Sequence, residues 1–392
     1  MTKRVVKGAA LHLAVLCALL LAAGWSAGAG TAASAEAIVR EPFTVDLGGF
    51  AARGELTYPA DAGGPVPAVI LVHGSGLVDM DHAVVTVDYM TGRQQILSTN
   101  FADIAEFLSF NGYAVLRYNK RYVNGPGDGD YLRYSTQVTL QTMADDVRTV
   151  IEFAKGHPAV DSSRLYLYGW SEGSTVAAHV AAEESGLAGL ILQTPVVLPW
   201  RENFAFQMYE VGVPFLRSRL PSGLLTDSDL FPLLLGEGGV VAKSILNYIV
   251  DPVAAQLGRI TLNAALDIDQ DGALSIDREI VPSLGFILDS AFGEMGYFRI
   301  YADDVALPVL SDQVDRLKLP VLILQGAHDA NTPAYGAEEL AAALQAAGVD
   351  VTFHLYEGLG HSLGLAESLL ADNFAPIAAQ PLQDLLAWLD SR

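Results

Sequence analysis

Cysteine is almost absent from this chain of 392 residues, because Cys17 is the only one. It falls in an N-terminal segment that, as argued below, we expect to be removed. The mature protein is then expected to have no disulfide and no thiol chemistry, although export would carry it to a compartment where disulfides persist. Its stability must come from a core, for which a composition that is 51% hydrophobic is ample.

Positive charge is also scarce. Lysine and arginine together number 23, against 45 aspartates and glutamates, and the formal net charge is −22 at pH 7. An acidic surface repels phosphate groups, which argues against nucleic acids and anionic membranes as partners. We therefore expect a small-molecule partner, no nucleic acid and no stable membrane association of the mature chain.

Long apolar runs are limited to residues 9–23. A basic start precedes this run, and small residues ending in Ala33-Ser34-Ala35 follow it. This order is typical of a secretory signal peptide at residues 1–35 and predicts a secreted or periplasmic protein. The alternative is an uncleaved membrane anchor, because residues 8–30 could just span a bilayer.

Internal repeats and long low-complexity linkers are absent too. Short apolar segments with strand character alternate instead with segments that have helical periodicity, which predicts an α/β fold with a mostly parallel central sheet flanked by helices. The alternation stops after the sixth predicted strand and resumes near residue 316. We therefore predict a core made of residues 36–196 and 316–392, with a largely helical cap inserted at 197–315.

Residues 169–173 read GWSEG, a G-x-S-x-G pattern that is weak evidence alone in a chain with 37 glycines. Its context is stronger, because a predicted strand ends before Ser171 and a predicted helix begins after it. Such a turn displays a nucleophilic serine and brings backbone N–H groups to a helix N-terminus. The alternative is that Ser171 is an ordinary helix cap.

A second glycine-rich turn, His73-Gly74-Ser75-Gly76, follows the third predicted strand. Acyl transfer needs two N–H donors that face the developing oxyanion. We predict that the main-chain N–H groups of Ser75 and Glu172 supply them. The alternative is a tight glycine turn that only closes the strand.

Asp329 and His361 follow the last two predicted strands. A serine nucleophile needs a general base, and the base needs a carboxylate that orients it. Imidazole suits proton transfer near neutral pH, and the ends of parallel strands meet at one edge of a sheet. We predict His361 as the base and Asp329 as its partner, although Asp329 could instead cap a helix.

These motifs together resemble the α/β-hydrolase superfamily. HGSG followed by LVDMD, then YAVLRYNKR, then GWSEGS, is similar to its bacterial serine esterase and prolyl-oligopeptidase-like (dienelactone-hydrolase-like) branch, where HGSGP-x-DRD, RYDKRG and GHSEGG recur. The resemblance implies Ser171 as nucleophile, His361 as base and acid, Asp329 as its orienting group, and no catalytic cofactor. The chain departs from the pattern at Leu77, Met80, Tyr122, Trp170 and Ser174, none of which carries a catalytic group.

The predicted cap contains an acidic loop at residues 267–279. Its oxygen-bearing side chains and glycine match the first nine positions of an EF-hand Ca²⁺ loop, whereas the twelfth position is Arg278. A one-residue bulge could bring in Glu279 instead. The predicted ligands of a structural Ca²⁺ are therefore Asp267, Asp269, Asp271, Ala273 and Glu279. The alternative is a solvated acidic turn.

We expect an exported carboxylic-ester hydrolase that works through a Ser-His-Asp acyl-enzyme mechanism. A serine peptidase or amidase of the same fold is a second hypothesis. A catalytically inactive, Ca²⁺-dependent binding protein is a third. The acyl chain, the leaving group and the oligomeric state have no signature in the sequence.

Overall fold

The computed structural model of the protein describes residues 37–87 and 94–392. The predicted signal peptide, residues 1–35, lies outside the described residues. An eight-stranded sheet forms the centre of the molecule. Its strands are β1 (Ile38–Asp46), β2 (Ala51–Pro59), β3 (Val66–Val72), β4 (Ala114–Tyr118), β5 (Val160–Trp170), β6 (Leu187–Gln193), β7 (Val321–Gly326) and β8 (Val351–Tyr356).

The strands lie in the order β1-β2-β4-β3-β5-β6-β7-β8. Strand β2 is antiparallel to both of its neighbours, and all the other neighbouring pairs are parallel. The predicted α/β fold with a mostly parallel sheet is therefore confirmed. Strands β3 and β7 are nearly continuous apolar runs, as expected for strands with helices on both faces of the sheet.

In the part of the chain that the structure describes, five helices flank the sheet: α1 (Asn100–Phe110), α2 (Leu140–Lys155), α3 (Glu172–Ala181), α4 (Ala334–Ala346) and α5 (Ala379–Asp390). The apolar faces of α1 and α5 pack on one side of the sheet, in a core that includes Phe101 and Trp388. Those of α2, α3 and α4 pack on the other side, around Val147, Val176 and Leu340. The result is a three-layer sandwich, and its parallel strands end at one common edge.

Residues 194–320 connect β6 to β7 and contain the predicted cap. Their helices, several of them single turns, are Trp200–Phe206, Gln207–Gly212, Val213–Arg219, Asp227–Leu235, Val240–Ser244, Leu246–Ile249, Pro252–Gln256, Ile276–Ile280, Val281–Phe292, Arg299–Tyr301, Leu310–Gln313 and Val314–Arg316. A short antiparallel pair joins Leu224–Leu225 to Leu274–Ser275. Much of this connection packs around its own apolar cluster, which includes Val211, Phe215 and Leu246.

Smaller elements occupy the loops around the sheet. The loop from Leu77 to Asn100 contains an antiparallel pair, Ala83–Val87 with Gln94–Thr99, that the sequence analysis did not predict. After β4 come a small hairpin of Val123–Gly125 with Asp128–Gly129 and a short helix, Tyr131–Gln137. A single turn lies at Leu369–Ala371. Within residues 37–87 and 94–392, none of the helices combines the length and apolar character needed to cross a membrane.

Candidate active site

Ser171 lies at a sharp turn between the end of β5 and the start of α3. Its backbone angles, φ 55° and ψ −121°, are unusual for a residue with a side chain and indicate a strained turn. A Cβ at Gly169 would lie 2.4 Å from the carbonyl oxygen of Gly173, and one at Gly173 would lie 2.2 Å from that of Val72. Only glycine fits at both positions, as a nucleophile elbow requires. The Ser171 side chain makes no capping hydrogen bond to α3, which disfavours its alternative role as a helix cap.

Asp329 follows β7 and His361 follows β8, and the fold brings their side chains together. Nδ1 of His361 lies 2.9 Å from each carboxylate oxygen of Asp329, and both side chains are buried. The carboxylate also accepts hydrogen bonds from the main chain of Asn331 (2.7 Å), from the main chain and hydroxyl of Thr332 (2.9 and 2.7 Å) and from the Gln325 amide (3.0 Å). An Nδ1–H bonded to a fixed carboxylate leaves Nε2 free to accept a proton.

The main chain of His361 is held from two sides. Its carbonyl oxygen accepts hydrogen bonds from the indole Nε1 of Trp170 and from the hydroxyl of Thr194, both over 3.1 Å. Its N–H donates to the Asp372 carboxylate over 2.8 Å. The predicted base is therefore tied to the residue that precedes the predicted nucleophile.

Asp372 is a site residue that the sequence analysis missed. Its carboxylate is buried and also accepts the N–H of Ala330, the residue after Asp329, over 3.3 Å. It thus joins the loops that carry the predicted acid and base. Burial and the charge of Asp329 raise the pKa of Asp372 above its ordinary value. The surrounding sequence, LLADNFAP, has no periodicity or motif that would have pointed to this role.

The His73–Gly76 turn lies directly against the elbow. A Cβ at Gly74 would lie 3.3 Å from Cβ of Ser171, so the turn and the predicted nucleophile are in close contact. The Gly74 N–H is already used, because it donates to Nε2 of His82 over 3.1 Å. Ser75, which carries one of the two predicted oxyanion donors, is exposed, whereas Glu172 carries the other at the first position of α3.

Two family models match this chain. The model described as serine aminopeptidase, S33 matches residues 93–266, and the model described as prolyl oligopeptidase family matches residues 308–379. The first match includes the elbow, and the second includes Asp329 and His361. With the sheet order above, these matches agree with the solved structures that resemble this one. The chain has the α/β-hydrolase fold.

The chain spans about a third of the length of the curated relative that it matches. The esterase EstD of Thermotoga maritima is 34% identical over 155 residues, which is 40% of this chain and 33% of that protein. An acylaminoacyl peptidase of Pyrococcus horikoshii superposes with a TM-score of 0.51 and 12% identity, over 91% of this chain and 42% of that one. A hypothetical protein of Pseudomonas aeruginosa gives a TM-score of 0.50 and 12% identity, over 91% and 95% of the two chains.

The Glu172 side chain of this α/β-hydrolase has partners that the sequence analysis did not assign. Its carboxylate is fully buried and accepts hydrogen bonds from Nζ of Lys120 (2.6 Å) and from the Tyr301 hydroxyl (2.5 Å). Lys120 belongs to the YNKR stretch that carried the resemblance, so a signal existed for it. Tyr301 belongs to the connection between β6 and β7, where no motif marked it.

The acidic loop of the hydrolase brings three of its predicted metal ligands together. Carboxylate oxygens of Asp267, Asp269 and Asp271 lie within 4.8 Å of one another. Glu279 is not a member of this group, because its buried carboxylate accepts the N–H groups of Ile268 (2.8 Å) and Ser275 (2.7 Å) instead. The expected bulge thus does not aim Glu279 at the aspartates in this conformation. Ala273, the remaining predicted ligand, donates its main-chain N–H to the Asp271 carboxylate over 2.9 Å.

Proposed function

We propose that this protein is a serine hydrolase that cleaves carboxylic esters through an acyl-enzyme. The observation that carries the proposal is the pairing of a strained, glycine-flanked Ser171 with a buried Asp329–His361 hydrogen bond at the same edge of the sheet. This arrangement provides a displayed hydroxyl and an imidazole with a fixed tautomer.

The proposed reaction follows from these positions. Nε2 of His361 takes the hydroxyl proton as the Ser171 oxygen attacks the acyl carbon. The N–H groups of Ser75 and Glu172 donate hydrogen bonds to the oxyanion of the tetrahedral intermediate. His361 then protonates the leaving alcohol, and the acyl group remains on Ser171. A water molecule, activated by the same imidazole, releases the carboxylic acid and restores the hydroxyl.

Esters are favoured over amides by the similarity to an esterase. The rival hypothesis, a peptidase or amidase, is supported by the descriptions of both family models and by the likeness to an acylaminoacyl peptidase. Peptidases of this branch often carry an added β-propeller. Within the described residues, the strands instead form one eight-stranded sheet and three two-stranded pairs, which supports the ester hypothesis.

We also propose export of the chain with removal of residues 1–35, and a structural Ca²⁺ in the 267–279 loop. The ion has no place in the proposed chemistry. Cleavage and export would be tested by N-terminal sequencing of the protein recovered from periplasm and medium. A mature chain that still contained residue 1 would contradict them.

The proposed activity is tested with p-nitrophenyl esters of acyl chains from two to twelve carbons, compared with aminoacyl p-nitroanilides. We expect ester turnover that Ser171→Ala lowers by about 10⁴-fold or more, the usual effect of removing a triad nucleophile. Ester hydrolysis that survives in Ser171→Ala would refute the mechanism. Turnover of anilides that exceeds that of esters would favour the peptidase hypothesis.

A further inference from the structure

Lys120, just beyond the end of β4, is buried beside the predicted oxyanion hole. Its ammonium donates to the carbonyl oxygens of Gly74 (2.5 Å) and Gly76 (3.3 Å), on either side of Ser75. It also donates to the Glu172 carboxylate over 2.6 Å. A single cation therefore contacts both segments of chain that carry the predicted oxyanion donors.

The contact with Gly74 fixes the direction of the Ser75 N–H. The carbonyl of Gly74 and the N–H of Ser75 belong to one peptide plane, and in a trans peptide they point in opposite directions. Because Lys120 holds the carbonyl oxygen, the N–H must point away from Lys120. His82 restrains the preceding peptide by accepting the Gly74 N–H, so the turn is held on both sides.

The contact with Glu172 fixes the second donor. The N–H of Glu172 lies at the first turn of α3, and the carboxylate of the same residue is anchored to Lys120. The Tyr301 hydroxyl donates to the other carboxylate oxygen over 2.5 Å. Tyr301 belongs to the connection between β6 and β7. Its ring stacks on that of Trp200 from the same connection, with centroids 4.2 Å apart.

We propose that Lys120 is a positioning residue that sets the separation and direction of the two oxyanion donors. The Glu172 carboxylate, which Tyr301 holds, keeps its ammonium in place. The inference rests on the proposed function and extends it to Lys120, which acts through the oxyanion donors. The competing hypothesis is that the ion pair has only a structural role, in which case its replacement by two neutral residues changes stability little and activity not at all. The two readings predict different behaviour when both charges are removed together.

The test uses Lys120→Met, Glu172→Gln and the double variant, assayed with a p-nitrophenyl ester. Lys120→Met leaves a buried carboxylate unpaired and is expected to lower the melting temperature, whereas the double variant removes both charges and should recover it. Positioning predicts that kcat of the double variant stays about 10²-fold below that of the wild type, with KM within about threefold, because the Gly74 carbonyl has lost its donor. Wild-type kcat in the double variant would overturn the inference.

A tetrahedral adduct gives a second readout. The serine oxygen adds to the carbonyl carbon of an alkyl trifluoromethyl ketone, and the adduct carries an oxyanion. The affinity of the double variant for this ketone should therefore fall in parallel with its kcat/KM. Arg121→Met is the matched control. Arg121 follows Lys120 in the chain, and this variant breaks its partly buried ion pair with Asp146 of α2, whose atoms are 2.6 Å apart. We expect that variant to lose stability but to keep kcat and ketone affinity within about threefold.

Failure of the proposed function has a different signature. If the wild type hydrolyses no ester and a fluorophosphonate does not label Ser171, the catalytic proposal fails. If the wild type is active and labelled but the double variant equals it, only the role of Lys120 fails.

Discussion

The indole Nε1 of Trp170 donates a hydrogen bond to the main-chain carbonyl of His361 over 3.1 Å. Trp170 precedes the proposed nucleophile, and His361 is the proposed base, so this bond joins two loops that are 191 residues apart in the chain. The Trp170 ring is buried, and it also packs on the ring of His82 with centroids 4.0 Å apart. The residue before the proposed nucleophile is therefore tied to the main chain of the proposed base.

Replacing Trp170 by Phe tests this link. The ring stacking is largely kept, but the carbonyl of His361 loses one donor, and a hydrogen bond of this kind contributes about 1 kcal/mol. We expect kcat for ester hydrolysis and the rate of Ser171 labelling by a fluorophosphonate to fall together, by about fivefold. The control is Trp388→Phe, because the buried Nε1 of Trp388 has no hydrogen-bond partner among the described residues. Equal effects of the two changes would contradict the link.

Asp372 provides a pair of variants that separates its charge from its hydrogen bonds. Asp372→Ala leaves the buried N–H groups of His361 and Ala330 without their acceptor, which costs about 1–3 kcal/mol for each unsatisfied group. We expect it to lower the melting temperature by several degrees and kcat by about tenfold or more. Asp372→Asn keeps an acceptor oxygen but removes the negative charge. Burial already raises the pKa of the Asp372 carboxyl and so disfavours that charge. It should retain most of the activity, and a loss as severe as that of Asp372→Ala would show that the charge itself is required.

His82 should make the stability of the protein sensitive to acid. Burial, reinforced by the positive charge of Lys120, lowers the pKa of His82 to about 3, from an ordinary 6.5. The unfolded chain therefore binds a proton below pH 6.5 that the folded chain does not. The stabilisation from neutral His82 is complete above pH 6.5 and is lost progressively as the pH falls towards 3. Between pH 6.5 and 4.5 the loss is about 2–3 kcal/mol.

The measurement is the melting temperature between pH 7.5 and 4.5 for the wild type and His82→Gln. Glutamine keeps an acceptor for the Gly74 N–H but does not titrate, so the difference between the two proteins should shrink or reverse at low pH. The half-buried His157 lies outside the site, and His157→Gln serves as the control. Parallel curves for the wild type and His82→Gln would contradict the assignment.

The acidic loop gives a prediction about metal. If the carboxylates of Asp267, Asp269 and Asp271 hold Ca²⁺ with a Kd of about 10⁻⁴ M, 1 mM Ca²⁺ stabilises the fold by about 1.4 kcal/mol. EDTA should then lower the melting temperature by a few degrees, and Asp267→Ala should abolish that difference. Asp277→Ala is the matched control, since Asp277 pairs with Arg217 on the surface instead. An EDTA effect that is zero in the wild type would refute the site.

Much of the sheet and of the catalytic constellation could be predicted because both depend on local patterns. Strands such as β3 and β7 are short apolar runs bounded by glycine or proline, and each catalytic candidate directly follows such a run. The parallel arrangement then brings the strand ends together without further information. The sharp φ of Ser171 was likewise predictable from the two glycines that flank it.

The supporting residues could not be predicted, because their roles depend on contacts between distant segments. Tyr301 reaches Glu172 only through the path of the chain between β6 and β7, which has no repeating pattern. Asp372 lies in an irregular stretch between β8 and α5, whose sequence has no helical or strand periodicity. The strand pair at Ala83–Val87 and Gln94–Thr99 was missed for a related reason, since its pairing is interrupted by a register shift.

The order of the strands has a consequence for how the enzyme is made. Glu172 and Lys120 are synthesised well before Tyr301, which follows Glu172 by 129 residues, and Asp329 and His361 come later still. The last two strands, β7 and β8, form one edge of the sheet and dock onto β6. During synthesis the edge of β6 therefore stays exposed until β7 is made, and the proposed nucleophile is made before its proposed base. If the proposed mechanism holds, hydrolysis can begin only when the final part of the chain has closed the sheet.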